Sequence, residues 1–236
     1  MHEAQLHERN SYITLTYHDD NAPPGMSLRH RDWQLFAKKL RKEVGPFKFY
    51  MCGEYGEQFS RPHFHACLFG IDFDDKVPLR QLASTSKLFH SATLERLWKH
   101  GFASVGAVTF QSAAYVARYV MKKVTGDKAT PHYTYIDADG EIHDRKPEYN
   151  QMSRGGRNGR GLAAEWFDKY HKDVYPADHV ITNRQEAKPP RYYDNLLKKK
   201  IQLCWTKLRN AVRQISTNKN KDQNASEQKS KCRKPA

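Results

Sequence analysis

Between residues 12 and 124 the apolar residues change their period in a fixed order, and that order leaves few folds open. Tyr12-Ile13-Thr14-Leu15-Thr16-Tyr17 alternates aromatic or aliphatic residues with threonine, the pattern of a half-buried strand. Residues 18–25, with two Asp, an Asn and Pro23-Pro24, read as a loop. Over residues 29–44, Trp33, Phe36, Ala37 and Leu40 recur at helical spacing, Lys38, Lys39, Arg41 and Lys42 cover the other face, and Gly45-Pro46 ends the helix. Residues 47–52 and 62–69 read as two more strands, each followed by a glycine. Leu94, Leu97 and Trp98 mark a helix over 91–100; residues 102–110 read as a fourth strand and 111–124 as a helix. The order β-α-β-β-α-β-α predicts an α+β, ferredoxin-like (split βαβ) fold. Such a fold has an antiparallel sheet of about four strands with helices on one face. Its other face stays open unless the last helix folds back across it.

Beyond residue 124 the pattern thins. Residues 133–142 look like a hairpin turning at Ala138-Asp139-Gly140-Glu141, 153–161 a Gly/Arg loop, and 162–170 a short helix. Leu196, Leu197, Ile201, Trp205, Leu208 and Val212 give 191–215 a helical stripe, and after Ser216 the composition predicts disorder. The organisation expected is a core over 1–125, an extension packing on it over 126–197, and a basic helix and tail over 198–236. That tail holds twelve Lys and Arg against Asp222 and Glu227, so it carries ten of the chain's net +14 charges. A basic segment of this kind suits phosphate contact, because each neutralised phosphate releases counterions. The four cysteines, Cys52, Cys67, Cys204 and Cys232, lack metal-site spacing, which argues against zinc or a disulfide framework and fits a reducing cytoplasm. No stretch approaches the length of a membrane span and no signal peptide is visible, so a soluble, intracellular protein is expected.

Two groups of residues carry chemistry. His63 and His65 are two apart in a strand, so they project to one face roughly 7 Å apart along the chain, while Phe64 turns to the core. Two imidazoles on a rigid strand suit a divalent cation that keeps open positions. A third ligand should be a carboxylate from the neighbouring strand, Glu54 just after its end or Glu57 beyond. Surface histidines packed beside Phe64 would show the same pattern. Tyr115 and Tyr119, four apart in a helix, share a face about 6 Å apart. Core aromatics repeat in that way too, but Arg118, Lys122 and Lys123 place cations around the same turns. A tyrosine that attacks phosphorus needs cations to favour its phenolate. Lys122 is therefore expected to act in catalysis, with Arg118, Lys123 and Arg61 contacting DNA.

In this order the segments resemble the three motifs of the HUH endonucleases, and within them the replication initiators of Microviridae, especially gokushoviruses. The segments are Tyr12-Ile13-Thr14-Leu15-Thr16-Tyr17-His18-Asp19-Asp20, then Arg61-Pro62-His63-Phe64-His65-Ala66-Cys67-Leu68-Phe69-Gly70, then Tyr115-Val116-Ala117-Arg118-Tyr119-Val120-Met121-Lys122-Lys123. Met152-Ser153-Arg154-Gly155-Gly156 and Pro189-Pro190-Arg191-Tyr192-Tyr193 also look like family segments, so the likeness runs over 12–197. Relatives carry a longer N-terminal segment with clustered cysteines, whereas this chain begins almost at the first motif. The resemblance implies rolling-circle initiation, with His63, His65 and Glu54 binding Mg²⁺ or Mn²⁺ and Glu57 the alternative third ligand. One tyrosine would cut single-stranded origin DNA, leaving a 5′-phosphotyrosine and a free 3′-OH for host polymerase, with a host helicase as a further partner. The second tyrosine would then cut the regenerated origin so that the circle closes. The setting implied is the cytoplasm of a host bacterium. A non-catalytic single-strand-binding module on the same sheet would carry aromatics where this strand carries histidines. A histidine-triad phosphohydrolase would need a histidine at Cys67.

Overall fold

Strand β1 (Asn10–Tyr17) buries every second residue, and this strict alternation sorts the sheet into two unlike faces. Ile13, Leu15 and Tyr17 turn to one side, Tyr12, Thr14 and Thr16 to the other. The structure is a computed structural model describing residues 1–56, 60–79, 87–154, 160–175 and 177–231; side chains are described except at Val120, Val212, Arg213 and 215–231. The chain divides into two compact units, Met1–Trp166 and Phe167–Ala236.

In the first unit, β1 is followed by α1 (His30–Val44), β2 (Lys48–Tyr55), β3 (Pro62–Phe69), β4 (Lys76–Pro78), β5 (Phe89–Ser91), α2 (Ala92–Leu97), β6 (Gly101–Gly106) and α3 (Phe110–Arg118). Then come α4 (Ala129–Tyr133), the hairpin β7 (Thr134–Ile136) and β8 (Ile142–Asp144), β9 (Tyr149–Met152) and the start of α5 (Ala164–Val174). The sheet runs β4-β5-β6-β1-β3-β2-β9, antiparallel at every pairing. Its central β6-β1-β3-β2 is the ferredoxin-like order.

The larger core lies on one face. There Ile13, Leu15, Met51, Phe64, Ala66 and Leu68 meet Trp33, Phe36 and Leu40 of α1 and Leu94 and Leu97 of α2. Gly45, at φ 90°, lets the chain leave α1, and the Ser91 hydroxyl caps α2 by accepting from the Leu94 amide. The opposite face is covered by α3, whose Val116 packs with Tyr119 on Cys52, Cys67 and Phe69. Thr109 and Ser112 form a reciprocal capping box at the start of α3, at 3.1 and 2.8 Å. Such a cap is worth about 1 kcal/mol and fixes where the helix begins.

The second unit holds the rest of α5, a hairpin of β10 (Val180–Thr182) and β11 (Gln185–Ala187), and α6 (Arg191–Lys231). Asn183 and Arg184 at φ 50° and 62° make its two-residue turn.

The expected α+β class holds, with several corrections of extent. The sheet has seven strands rather than about four, because β4, β5 and β9 are three or four residues long and show no period of their own. Strand β2 continues to Tyr55, so Glu54 lies within it rather than after it. Strand β6 stops at Gly106, and α3 stops at Arg118, where a 3-10 turn over Tyr119–Lys122 replaces the expected continuous helix. Backbone after Ser216, expected to be disordered, continues as helix to Lys231. Of the Gly/Arg loop, residues 155–159 lie outside the described residues, as does Glu57.

Candidate active site

The α3-facing side of the sheet assembles a cross-strand row in register. In the β1–β3 pairing Thr14 stands opposite His65 and Thr16 opposite His63; in β2–β3, Glu54 stands opposite His63. Directly paired residues share a face. The same period of two that turns His63 and His65 together therefore places Thr14, Thr16 and Glu54 beside them. Thr14 Oγ1 and the Tyr12 hydroxyl lie 2.9 and 2.8 Å from His65 Nδ1, and Thr16 Oγ1 lies 3.0 Å from His63 Nδ1. Hydroxyls on Nδ1 hold each ring at a set angle and leave Nε2 for other partners.

Glu54 is 2% exposed. His65 Nε2 is 2.7 Å from its Oε1, and the Tyr115 hydroxyl donates to the same oxygen at 3.1 Å. The Tyr119 hydroxyl donates in turn to Tyr115 at 2.5 Å. The two tyrosine rings meet edge-on with centres 4.6 Å apart, and Lys122 Nζ lies 4.6 Å from the centre of the Tyr119 ring. The arrangement is a directional chain, Tyr119 to Tyr115 to Glu54, with His65 on the same carboxylate. It borders an open cavity of about 740 Å³ also lined by His63, Arg61, Tyr55 and Gly56.

Two observations test whether a divalent cation suits these residues. Glu54 Oε2 is buried and has no hydrogen-bond partner, so a carboxylate oxygen is left to receive something. Gly56 forms a cradle: a Cβ built there would come within 2.7 Å of His63 Nε2. Two neutral imidazoles and a carboxylate are also a donor set that Mg²⁺ or Mn²⁺ accepts. The residues fit such an ion. Burial, then the neighbouring His65 and Arg61, holds His63 down at about 4, so its ring is neutral near pH 7 as a ligand must be. Burial, followed by the hydrogen bond from Tyr119 and the Glu54 charge, pushes the Tyr115 phenol well above its ordinary range.

Of the residues expected at the site, His63, His65, Glu54, Tyr115, Tyr119 and Arg61 line one cavity. Lys122 adjoins it through the Tyr119 ring. Arg61 is engaged by Asp19 at 2.7 Å and donates to the Tyr17 carbonyl at 3.4 Å. Arg118 and Lys123 are exposed and do not line this cavity; Arg118 Nε folds back to the Ala114 carbonyl at 3.3 Å. Tyr12, Thr14, Thr16 and Gly56 were not expected there. The threonines carried a signal, since they share the spacing of the histidines. Elsewhere Asp137, Glu141 and His143 each bring one atom within 4.8 Å of the others, close enough by spacing to hold a metal ion. There His143 Nε2 lies 2.7 Å from Asp137, whose other oxygen accepts the amides of Asp139 and Glu141, which are ordinary bonds of the hairpin turn.

Comparison with known proteins adds an independent line. The family of the replication-associated protein ORF2 matches residues 10–124, the span from β1 to just past the tyrosines. The chain is 28% identical over 214 residues to "Replication-associated protein VP4" of Bdellovibrio phage phiMH2K, covering 86% of this chain and 62% of the relative. It is 28% identical over 209 residues to "Replication-associated protein ORF2" of Spiroplasma virus 4, covering 83% and 60%. It is 29% identical over 209 residues to "Replication-associated protein ORF4" of Chlamydia phage 1, covering 84% and 48%. The chain thus spans about half to three fifths of the length of these relatives. No solved structure matches significantly.

Proposed function

Because the chain belongs to the ORF2 family of replication-associated proteins, similar to those of small phages, we propose that it initiates rolling-circle replication by nicking single-stranded origin DNA through a tyrosine. The observation that carries this reading is the hydrogen-bonded chain from Tyr119 through Tyr115 to Glu54, set against two histidines in one cavity.

The direction of that chain assigns roles. An ionised Glu54 can only accept, so Tyr115 donates to it and the Tyr115 oxygen is left to accept from Tyr119. As the Tyr115 oxygen bonds to phosphorus, its proton has an acceptor in place, and the Tyr119 hydroxyl steadies the charge that develops. The bond from phosphorus to the 3′ oxygen breaks, leaving a 5′-phosphotyrosine and a 3′-OH. Tyr119, no longer donating to a phenol, is then the group available for the second cut, and the released 3′-OH rejoins the strand. Burial disfavours a free phenolate at Tyr115, which makes neighbouring cations necessary rather than incidental; Lys122 supplies one. A divalent ion held by His63, His65 and Glu54 would supply Lewis-acid polarisation of the scissile phosphate. The tyrosines are the residues that turn attack on phosphorus into a covalent, energy-conserving link, so that joining needs no outside energy source. Host polymerase and helicase are the proposed partners, and a host bacterial cytoplasm the proposed setting. Among the described residues no helix is long and apolar enough to cross a membrane.

The test is adduct formation. The purified chain is incubated with single-stranded oligonucleotides tiling its own replicon and with Mg²⁺ or Mn²⁺, and denaturing gels and mass spectrometry locate any covalent link. A metal-dependent adduct on Tyr115 is expected, with Tyr115→Phe losing the first cut and Tyr119→Phe losing strand transfer. Binding without any adduct under either metal would reduce the protein to a single-strand-binding module.

A further inference from the structure

A second cavity opens beside the first, and the two share Tyr55 and Gly56 in their walls. It measures about 330 Å³, near the small end for ligand sites, and Lys122, His132 and Arg145 line it. Lys122 belongs to both neighbourhoods, since its ammonium lies over the Tyr119 ring. Arg145 follows the β7–β8 hairpin. Its Nε donates to the Gly25 carbonyl at 2.9 Å, and its guanidinium stands 3.8 Å from the centre of the Tyr135 ring and 5.2 Å from that of Tyr55. These contacts fix its position but do not use all its donors: Arg145 Nη2 is buried without a hydrogen-bond partner. A buried cationic N–H lacking an acceptor is costly, and its presence beside a cavity calls for an anion. The carboxylate in the cavity wall, Glu148, is not that anion, because it already accepts the Tyr133 hydroxyl at 2.5 Å.

We propose that this second cavity is a phosphate subsite for the bound strand, in which Lys122 and Arg145 take the backbone phosphate next to the scissile one. The inference rests on the nicking reading, which puts the scissile phosphate at Tyr115. Gly56, common to both walls and lacking a side chain, lets the strand pass from one cavity to the other. Planar, fixed guanidinium and mobile ammonium are the usual pair for a phosphodiester. The site reads charge and spacing rather than base identity. It also ties occupancy by the flanking nucleotide to the turn that carries Tyr119.

The probe is an oligonucleotide carrying one neutral methylphosphonate, moved position by position along both flanks of the cut. Binding to the wild-type chain is measured by fluorescence anisotropy without divalent metal, so the readout is independent of cleavage. One flanking position is expected to weaken binding roughly 10-fold, the size of one charge-assisted contact. The same neutralisation should cost less than about 2-fold in Arg145→Gln and in Lys122→Met, while each variant lowers the salt slope by about 1. Arg145→Lys keeps the slope but loses part of the affinity, and thermal melts confirm that each variant folds. If no flanking position couples to either residue, the subsite is overturned, whether or not an adduct forms at Tyr115. If a free deoxynucleoside monophosphate competes through Arg145 while no strand position couples, the pocket serves a free nucleotide and the proposal is likewise wrong. Loss of adduct formation with the coupling intact would instead sink the nicking chemistry alone.

Discussion

Replacing Thr16 with valine removes one hydroxyl while keeping the β-branched shape that suits β1. Among the described residues, that hydroxyl is the partner of His63 Nδ1, at 3.0 Å. The equivalent change at Thr14 is not equivalent in effect, because His65 Nδ1 has two hydroxyls within reach, Thr14 at 2.9 Å and Tyr12 at 2.8 Å. Losing the outer partner of a metal-binding imidazole costs about 10- to 100-fold in metal affinity, or roughly 1.4–2.7 kcal/mol. Thr16→Val should therefore lose Mn²⁺ affinity by about that much. Thr14→Val should lose only a few-fold, and Tyr12→Phe with Thr14→Val together should fall into the range of Thr16→Val. Thr16→Ser restores binding, which a purely structural role for the threonine would not require. The assay is Mn²⁺ titration followed by electron paramagnetic resonance, with metal-free thermal melts as the control for folding. Equal losses at Thr14 and Thr16, or none at either, would refute the idea that hydroxyl partners on Nδ1 orient the ligands.

Further outcomes follow from the same geometry. Gly56→Ala drives a methyl to within 2.7 Å of His63 Nε2, so Mn²⁺ affinity should drop at least about 10-fold while the metal-free fold persists; unchanged affinity would remove His63 from the ligand set. His63 is held near 4 in the folded chain against an ordinary 6.5, so as pH falls the unfolded chain takes up the proton first. Stability is then complete above about 6.5 and declines toward 4. Urea midpoints measured across that window should fall less steeply in His63→Gln, by about one proton, although His2, also held near 4 by burial, keeps part of the slope. Removing residues 198–236, with twelve Lys and Arg, should weaken DNA binding and flatten its salt dependence without changing Mn²⁺ affinity; an unaltered salt slope would mean the tail does not touch phosphate.

Periodicity was enough to make His63 and His65 neighbours, because a strand sends residues i and i+2 to one face whatever surrounds it. It also made Tyr115 and Tyr119 neighbours, since i and i+4 meet even where the α-helix tightens to a 3-10 turn. The order of strands and helices likewise carried the central four-stranded topology. Other features depend on pairing between segments far apart in the chain, which no local pattern encodes. Register alone brings Thr14 and Thr16 of β1 against the histidines of β3, and only the extension of β2 to Tyr55 puts Glu54 opposite His63. The short strands β4, β5 and β9 exist because an edge offers hydrogen bonds to three or four residues with no hydrophobic period of their own. The sequence therefore determined which side chains could act together within each element. The tertiary structure decided that Tyr115 bonds to Glu54 while Tyr119 stands one hydrogen bond behind it, and that asymmetry arises where α3 crosses the sheet.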